Sequence, residues 1–185
     1  GFGWQAWQSS RQEQSVAASS VYQRMLEAME AESAETRGDA RSLAGQLKAD
    51  FASSVYAQFA ALHLARLAVT DGNLARAETE LRWAVAKSKE SGDVRAVAQL
   101  RLARVTAARG DVEQALTMLD GSVNSAYAGA YSLARGDILL AADRPEEARD
   151  AYAQAQAGVQ DGQSPPLLAQ KLQHLNPVPP RAAEQ

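Results

Sequence analysis

Apolar positions along the chain recur at three- and four-residue intervals and are interrupted by short polar turns. Val21, Met25, Leu26 and Met29 predict a helix from about Gln14 to Glu35, ending before Gly38-Asp39. A shorter helix with Leu43 and Leu47 breaks near Asp50. Ser53 and Ser54 then stand ready to cap a periodic segment, Val55, Tyr56, Phe59, Leu62, Leu64 and Leu67, which stops at Asp71-Gly72-Asn73. Its partner helix carries Leu74, Ala77, Leu81, Ala84 and Val85 up to Ser91-Gly92-Asp93. A second pair runs from about Val94 to Arg109 and, past Gly110-Asp111, to about Leu119. A third covers about Ala128 to Ala142 and Pro145 to Gln156, with Pro145 suited to a first turn. After the break at Asp161 to Pro166, Leu167, Leu168, Leu172 and Leu175 make a short last helix, and the Pro-rich tail beyond is expected to be disordered.

These pairs repeat. When the turns at Gly72, Gly110 and Asp143 are aligned, a small residue falls at the same offset beyond each, at Ala77, Ala115 and Ala148. A large one follows at Leu81, Leu119 and Tyr152, then a small one at Ala84, Ser122 and Ala155. Upstream of each turn lies another small residue, Ala65, Ala103 or Gly136. Small side chains are needed where two helices cross closely, and large ones fill the space between units. This is the tetratricopeptide pattern of about 34 residues per unit. The large positions usually filled by Trp or Leu are weak here, at Ala61, Gln99 and Ser132, and the competing reading is a non-repeating Ala-rich bundle. The predicted fold is all-α: a tetratricopeptide-like helical-repeat solenoid of about three repeats. The organisation that follows is a stub at 1–13, an N-terminal helix pair at 14–52, repeats at 53–162, a C-terminal helix at 163–175 and a tail at 176–185.

Composition agrees with helices. The 185 residues include 39 Ala and 19 Leu but a single Ile, so strand-forming residues are scarce. With no Cys there is neither a disulfide framework nor a thiol nucleophile, and a net charge of −3 gives no polybasic footprint for nucleic acid. No apolar run approaches a membrane-spanning length. Gly3-Trp4-Gln5-Ala6-Trp7 reads either as the interfacial end of a membrane helix lying outside this sequence or as aromatics packed on the domain. Charge is uneven: residues 76–109 hold eight basic and four acidic side chains, residues 111–150 three basic and eight acidic. That asymmetry serves either complementarity between neighbouring repeats or the orientation of a partner.

Catalytic patterns are lacking. His63 and His174 are far apart in sequence, neither has a ligand at metal-binding spacing, and no phosphate loop or cofactor motif appears. Arg135-Gly136-Asp137 spells an adhesion tripeptide but falls within a predicted helix. The reading that remains is binding by a concave face lined by the first helix of each unit. Repeat geometry nominates Phe59, Leu62 and Arg66, then Val97, Leu100 and Arg104, then Ala130, Leu133 and Asp137. A Leu ridge flanked by Arg66 and Arg104 suits a segment with apolar side chains and some negative charge. The alternative is that the chain's own first helices cover these leucines.

Beyond the repeat, the chain resembles the YfgM-type ancillary subunits of the bacterial SecYEG translocon. The resemblance is carried by Gly3-Trp4-Gln5-Ala6-Trp7, Leu81-Arg82-Trp83, Leu100-Arg101-Leu102-Ala103-Arg104-Val105, Arg135-Gly136-Asp137-Ile138-Leu139-Leu140 and the closing Pro165-Pro166-Leu167-Leu168. It implies a single-pass inner-membrane protein whose periplasmic domain is this chain, anchored by a helix not included in it. The partners implied are the translocon and a membrane-anchored periplasmic chaperone of the prolyl-isomerase fold, with no catalytic residue. Two other functions stay open on the residues: a regulator that sequesters a stress-signalling protein, and a generic tetratricopeptide adaptor.

Overall fold

The structure is a computed structural model and describes residues 2–31, 33–120, 125–158 and 166–175. Nine helices cover them: α1 (Phe2–Glu30), α2 (Ala34–Asp50), α3 (Val55–Thr70), α4 (Leu74–Lys87), α5 (Asp93–Ala108), α6 (Val112–Leu119), α7 (Ser125–Ala141), α8 (Pro145–Ala157) and α9 (Pro166–Leu175). No strand occurs among the described residues. The tail expected at 176–185 lies outside them. The chain divides into two compact units, residues 1–102 and 103–185.

Two boundaries differ from the sequence expectation. The first helix begins at Phe2, not near Gln14, so residues 2–13 are helical. Their side chains from Gly3 onward are exposed, Trp4 at 66% and Trp7 at 54%, so these aromatics do not pack on the domain. Arg11, one turn on, lies over the Trp7 ring at 4.5 Å. The helix propagates outward from the packed half that buries Ala18 and Met25, because adding a turn to an existing helix is far easier than nucleating one. Gly38, expected beyond a helix end, lies inside α2. The reason is a capping box at Ser33: its hydroxyl accepts from the Thr36 amide at 3.1 Å, and Thr36 Oγ1 accepts from the Ser33 amide at 3.1 Å. That box starts the helix before the glycine, whose surroundings are open.

The repeat turns share one hydrogen-bond scheme. Gly72, Gly110 and Asp143 all take positive φ, at 74°, 100° and 58°. In each turn the next amide reaches back five residues: Asn73 to Ala68, Asp111 to Thr106 and Arg144 to Leu139, at 2.8, 3.2 and 2.9 Å. The amides of the three positive-φ residues bond three residues back, to Val69, Ala107 and Leu140. This satisfies carbonyls left open at a helix end and points the chain into the returning helix. Asn73 and Asp111 then cap α4 and α6 with their side chains, whereas α8 has no side-chain cap and starts on Pro145.

In the first unit, α1 and α2 pack with α3 through Ala18, Met25, Ala40, Ala44, Leu47, Ala57, Ala60 and Leu64. A second cluster joins α3, α4 and α5 through Ala61, Ala84 and Ala98, with Leu62 packed against it. Alanine at these contacts lets helix backbones approach closely. In the second unit α7 pairs with α8, and Gly136 fits closely against Tyr152. A Cβ on Gly136 would lie 2.9 Å from Tyr152 Cζ and nearer still to two other ring carbons. Tyr152 is fully buried. The third repeat has thus exchanged the Ala65/Leu81 combination for a smaller residue and a larger one.

Candidate partner-binding surface

In the first unit the nominated positions lie on α3 and α5. Phe59, Leu62, Val97 and Leu100 are half-buried and Arg66 is exposed. Phe59 joins an aromatic group with Tyr56 and with Tyr22 of α1, ring centroids 6.4 and 5.9 Å away, and Tyr22 and Tyr56 are 5.4 Å apart. Tyr22 also meets His63, its hydroxyl 3.1 Å from His63 Nε2, so α1 covers this end of α3. With the imidazole proton on Nδ1, Nε2 accepts from the phenol. Burial, and after it the charges of Arg66 and Arg101, hold the His63 pKa below its ordinary value. Burial, aided by Tyr56, raises that of Tyr22.

Several other charges in this unit are engaged. Arg41 pairs with Asp71, and Arg82 with Glu78 at 2.7 Å. Lys48 bonds Glu80 and lies 5.0 Å from the Trp83 ring centre. Arg95 donates to the Val85 carbonyl at 2.8 Å. Arg66 and Arg101 are exposed, and among the described residues neither lies within ion-pair distance of a carboxylate.

In the second unit the nominated residues are Arg104, Leu133 and Asp137. Leu133 is half-buried, and Ala130 beside it on α7 is exposed. Asp137 is held from within: Tyr152 Oη donates to Oδ1 at 2.8 Å, Lys171 of α9 binds the same oxygen, and Arg104 stands 4.0 Å from Oδ2. Burial and then this bond to Asp137 push the Tyr152 pKa well above the ordinary tyrosine range. Arg149 fastens α9 further through two bonds to the Leu175 carbonyl, at 2.6 and 3.2 Å. Asp137 therefore joins α7, α8 and α9, and its carboxylate is largely occupied. Arg135, its neighbour in the tripeptide, pairs with Asp120, and Gly136 is buried, so the tripeptide is no presented loop. A shallow apolar groove lined by Ala107, Ala108, Val112, Ile138 and Ala141 runs beside Arg104 and Asp137.

Comparison with known proteins bears on what such surfaces serve. A family profile described as a tetratricopeptide repeat-like domain matches residues 1–177. A protein of Aggregatibacter actinomycetemcomitans named ancillary SecYEG translocon subunit is 32% identical over 155 residues, covering 84% of this chain and 74% of the relative. The chain belongs to this family. A protein of the same name from Escherichia coli is 28% identical over 174 residues, 94% of this chain and 80% of its own length. The Haemophilus influenzae protein of that name is 25% identical over 155 residues. No solved structure matches the chain at the same stringency.

As a tetratricopeptide repeat-like family member the chain presents the repeat in its turns and crossings, and the segments that carried the resemblance fall in ordered helices. Leu81-Arg82-Trp83 lies in α4, Leu100 to Val105 in α5 and Arg135 to Leu140 in α7. No helix among the described residues is long and apolar enough to cross a membrane. Sequence reasoning missed Tyr22 and Arg101. Arg101 had a usable signal: it stands 38 residues after His63, the spacing between the first two turns, and so repeats that position. Tyr22 had none, since its contact with His63 spans 41 residues across two helices.

Proposed function

We propose that this chain is a non-catalytic interaction scaffold acting at the SecYEG translocon. It works as the periplasmic domain of a protein held in the inner membrane by an N-terminal helix outside this sequence. In this role it holds the translocon, and a membrane-anchored periplasmic chaperone, by surface presentation without bond chemistry. The observation that carries the reading is the likeness to the Escherichia coli ancillary SecYEG translocon subunit across 94% of the chain. The repeat architecture supports it, since stacked helix pairs make extended binding surfaces.

The test is co-purification. The membrane-anchored protein, solubilised in mild detergent, is expected to bring SecYEG down with it. Leu100→Glu and Leu133→Glu, made singly, should each weaken capture at least tenfold while circular dichroism stays helical. Protease added to intact spheroplasts should cleave the domain. Absence of SecYEG from the wild-type complex overturns the reading, and full protection in spheroplasts favours a cytosolic regulator instead.

A further inference from the structure

Arg66, Arg101 and His63 form one electropositive locus in the first unit. Arg66 follows His63 by three residues, which puts both on one face of α3. Ala61 of α3 and Ala98 of α5 share a packed cluster, and Arg101 lies one turn beyond Ala98 on α5. Both guanidinium groups are close enough to act on the His63 ring. The group facing His63 from α1 is the Tyr22 hydroxyl, with the Tyr56 and Phe59 rings beside it. Each of these neighbours is neutral or cationic. Among the described residues the two exposed arginines have no carboxylate within ion-pair distance, and half-buried Leu62, Val97 and Leu100 share their helices.

We propose that Arg66 and Arg101, both acting on His63, bind a side-chain carboxylate of an acidic, apolar-flanked segment in a partner protein. Arginine suits this work because its planar fork matches a carboxylate and remains charged throughout the accessible pH range. The flanking leucines and Val97 take the partner's apolar side chains. Burial of apolar surface supplies affinity, and the arginines select the sign of charge. His63 makes the site responsive to pH. An incoming carboxylate offsets the two arginines and makes protonation of His63 easier, so by linkage the protonated form binds the carboxylate more tightly. Affinity should rise as pH falls through the range in which His63 takes up its proton, until the ligand's own carboxylates titrate at about 4.3.

The inference deepens the proposed scaffold role, and its test is independent of the translocon. The probe is a fluorescein-labelled, C-terminally amidated peptide of alternating Glu and Leu, with an alternating Lys and Leu peptide for comparison. Fluorescence anisotropy on the whole chain should show at least tenfold tighter binding of the acidic peptide. The double variant Arg66→Glu/Arg101→Glu should lose that preference, and Arg66→Lys/Arg101→Lys should keep part of it. Arg76→Glu/Arg82→Glu on α4, with the same net charge as the first variant, should retain it. Wild-type binding should tighten several-fold from pH 7.5 to 5.5, and His63→Gln should flatten that profile. Equal affinity for both peptides, or equal loss in the α4 variant, overturns the site, and a flat wild-type pH profile overturns the part given to His63. Failure to co-purify SecYEG counts against the scaffold reading alone.

Discussion

The first and last repeats follow one template and fill it differently. In the α3–α4 repeat the crossing is made by Ala65 and Leu81, the turn by Gly72 and the cap by Asn73. In α7–α8 the same positions hold Gly136, Tyr152, Asp143 and Arg144, with Pro145 in place of a side-chain cap. The ninth position contrasts most. Arg66 is exposed and has no ion pair among the described residues, whereas Asp137 is occupied by Tyr152 and Lys171, with Arg104 nearby. Repeat geometry therefore determines where a side chain stands but not whether it is available. A terminal helix with a lysine at the right register turned a groove position into an internal tie. Among the described residues of the first unit no equivalent tie forms at Arg66.

The largest effect should come from making the last repeat more like the first at one position only. Gly136→Ala drives a methyl into the buried Tyr152 ring, and overpacking of this kind costs about 3 kcal/mol. Adding Tyr152→Leu restores the Ala/Leu combination used by Ala65 and Leu81. The double variant should recover more than half of the loss in urea unfolding, a coupling that independent sites would not show. Additive losses would mean that the Gly136–Tyr152 fit is not what sets the third repeat.

Removing the tie comes next. Lys171→Ala leaves Asp137 with Tyr152 and the more distant Arg104, and should lower stability by about 1 kcal/mol, since the pair is only partly buried. The same variant should make α9 more sensitive to limited proteolysis. If cleavage in α9 is unchanged, Arg149 and buried Leu168 hold that helix without Lys171. A gain is expected at the turn. Asp143 carries a side chain at φ 58°, where its counterparts in the first two repeats are glycine, so Asp143→Gly should stabilise by about 0.5–1 kcal/mol. No gain in melting temperature would show that the aspartate side chain compensates locally.

Much of this architecture was legible because the repeat constrains small residues. Ala65, Ala77, Ala84, Ala103, Ala115 and Ala148 stand where helices approach closely, and all are nearly fully buried. The turns were legible for a similar reason, since Gly72 and Gly110 supply the positive φ that a sharp helix return requires. The extension of α1 to Phe2 was not, because side chains that stay exposed leave no apolar period to read. Nor was the start of α2, where the Ser33–Thr36 capping box outweighed Gly38 as a boundary signal. The surface was harder than the fold. The nominated positions were read as a lining, yet Phe59 meets Tyr22, and Asp137 meets a lysine 34 residues further on. Such pairings depend on where flanking helices dock, and periodicity within one helix does not encode that.

The smallest effect separates the repeats by pH. His63 has Arg101 at the matching position in the second repeat and buried Ala134 in the third, so only the first repeat titrates there near neutrality. Its pKa is lowered in the fold, by burial first and then by Arg66 and Arg101. The unfolded chain therefore binds the proton more readily than the folded one below about pH 6.5, the ordinary histidine value. The stability linked to neutral His63 is complete above that pH and declines as pH falls through 6.5 toward the lower folded value. Urea unfolding at pH 7.5 and 5.5 should show a loss of a fraction of a kcal/mol in the wild type. His63→Gln should remove most of that loss, since its amide can still accept from the Tyr22 hydroxyl but carries no proton equilibrium. Parallel curves for the two proteins at both pH values would place the acid sensitivity elsewhere, and would leave the Tyr22–His63 contact as packing between α1 and α3 without a titrating role.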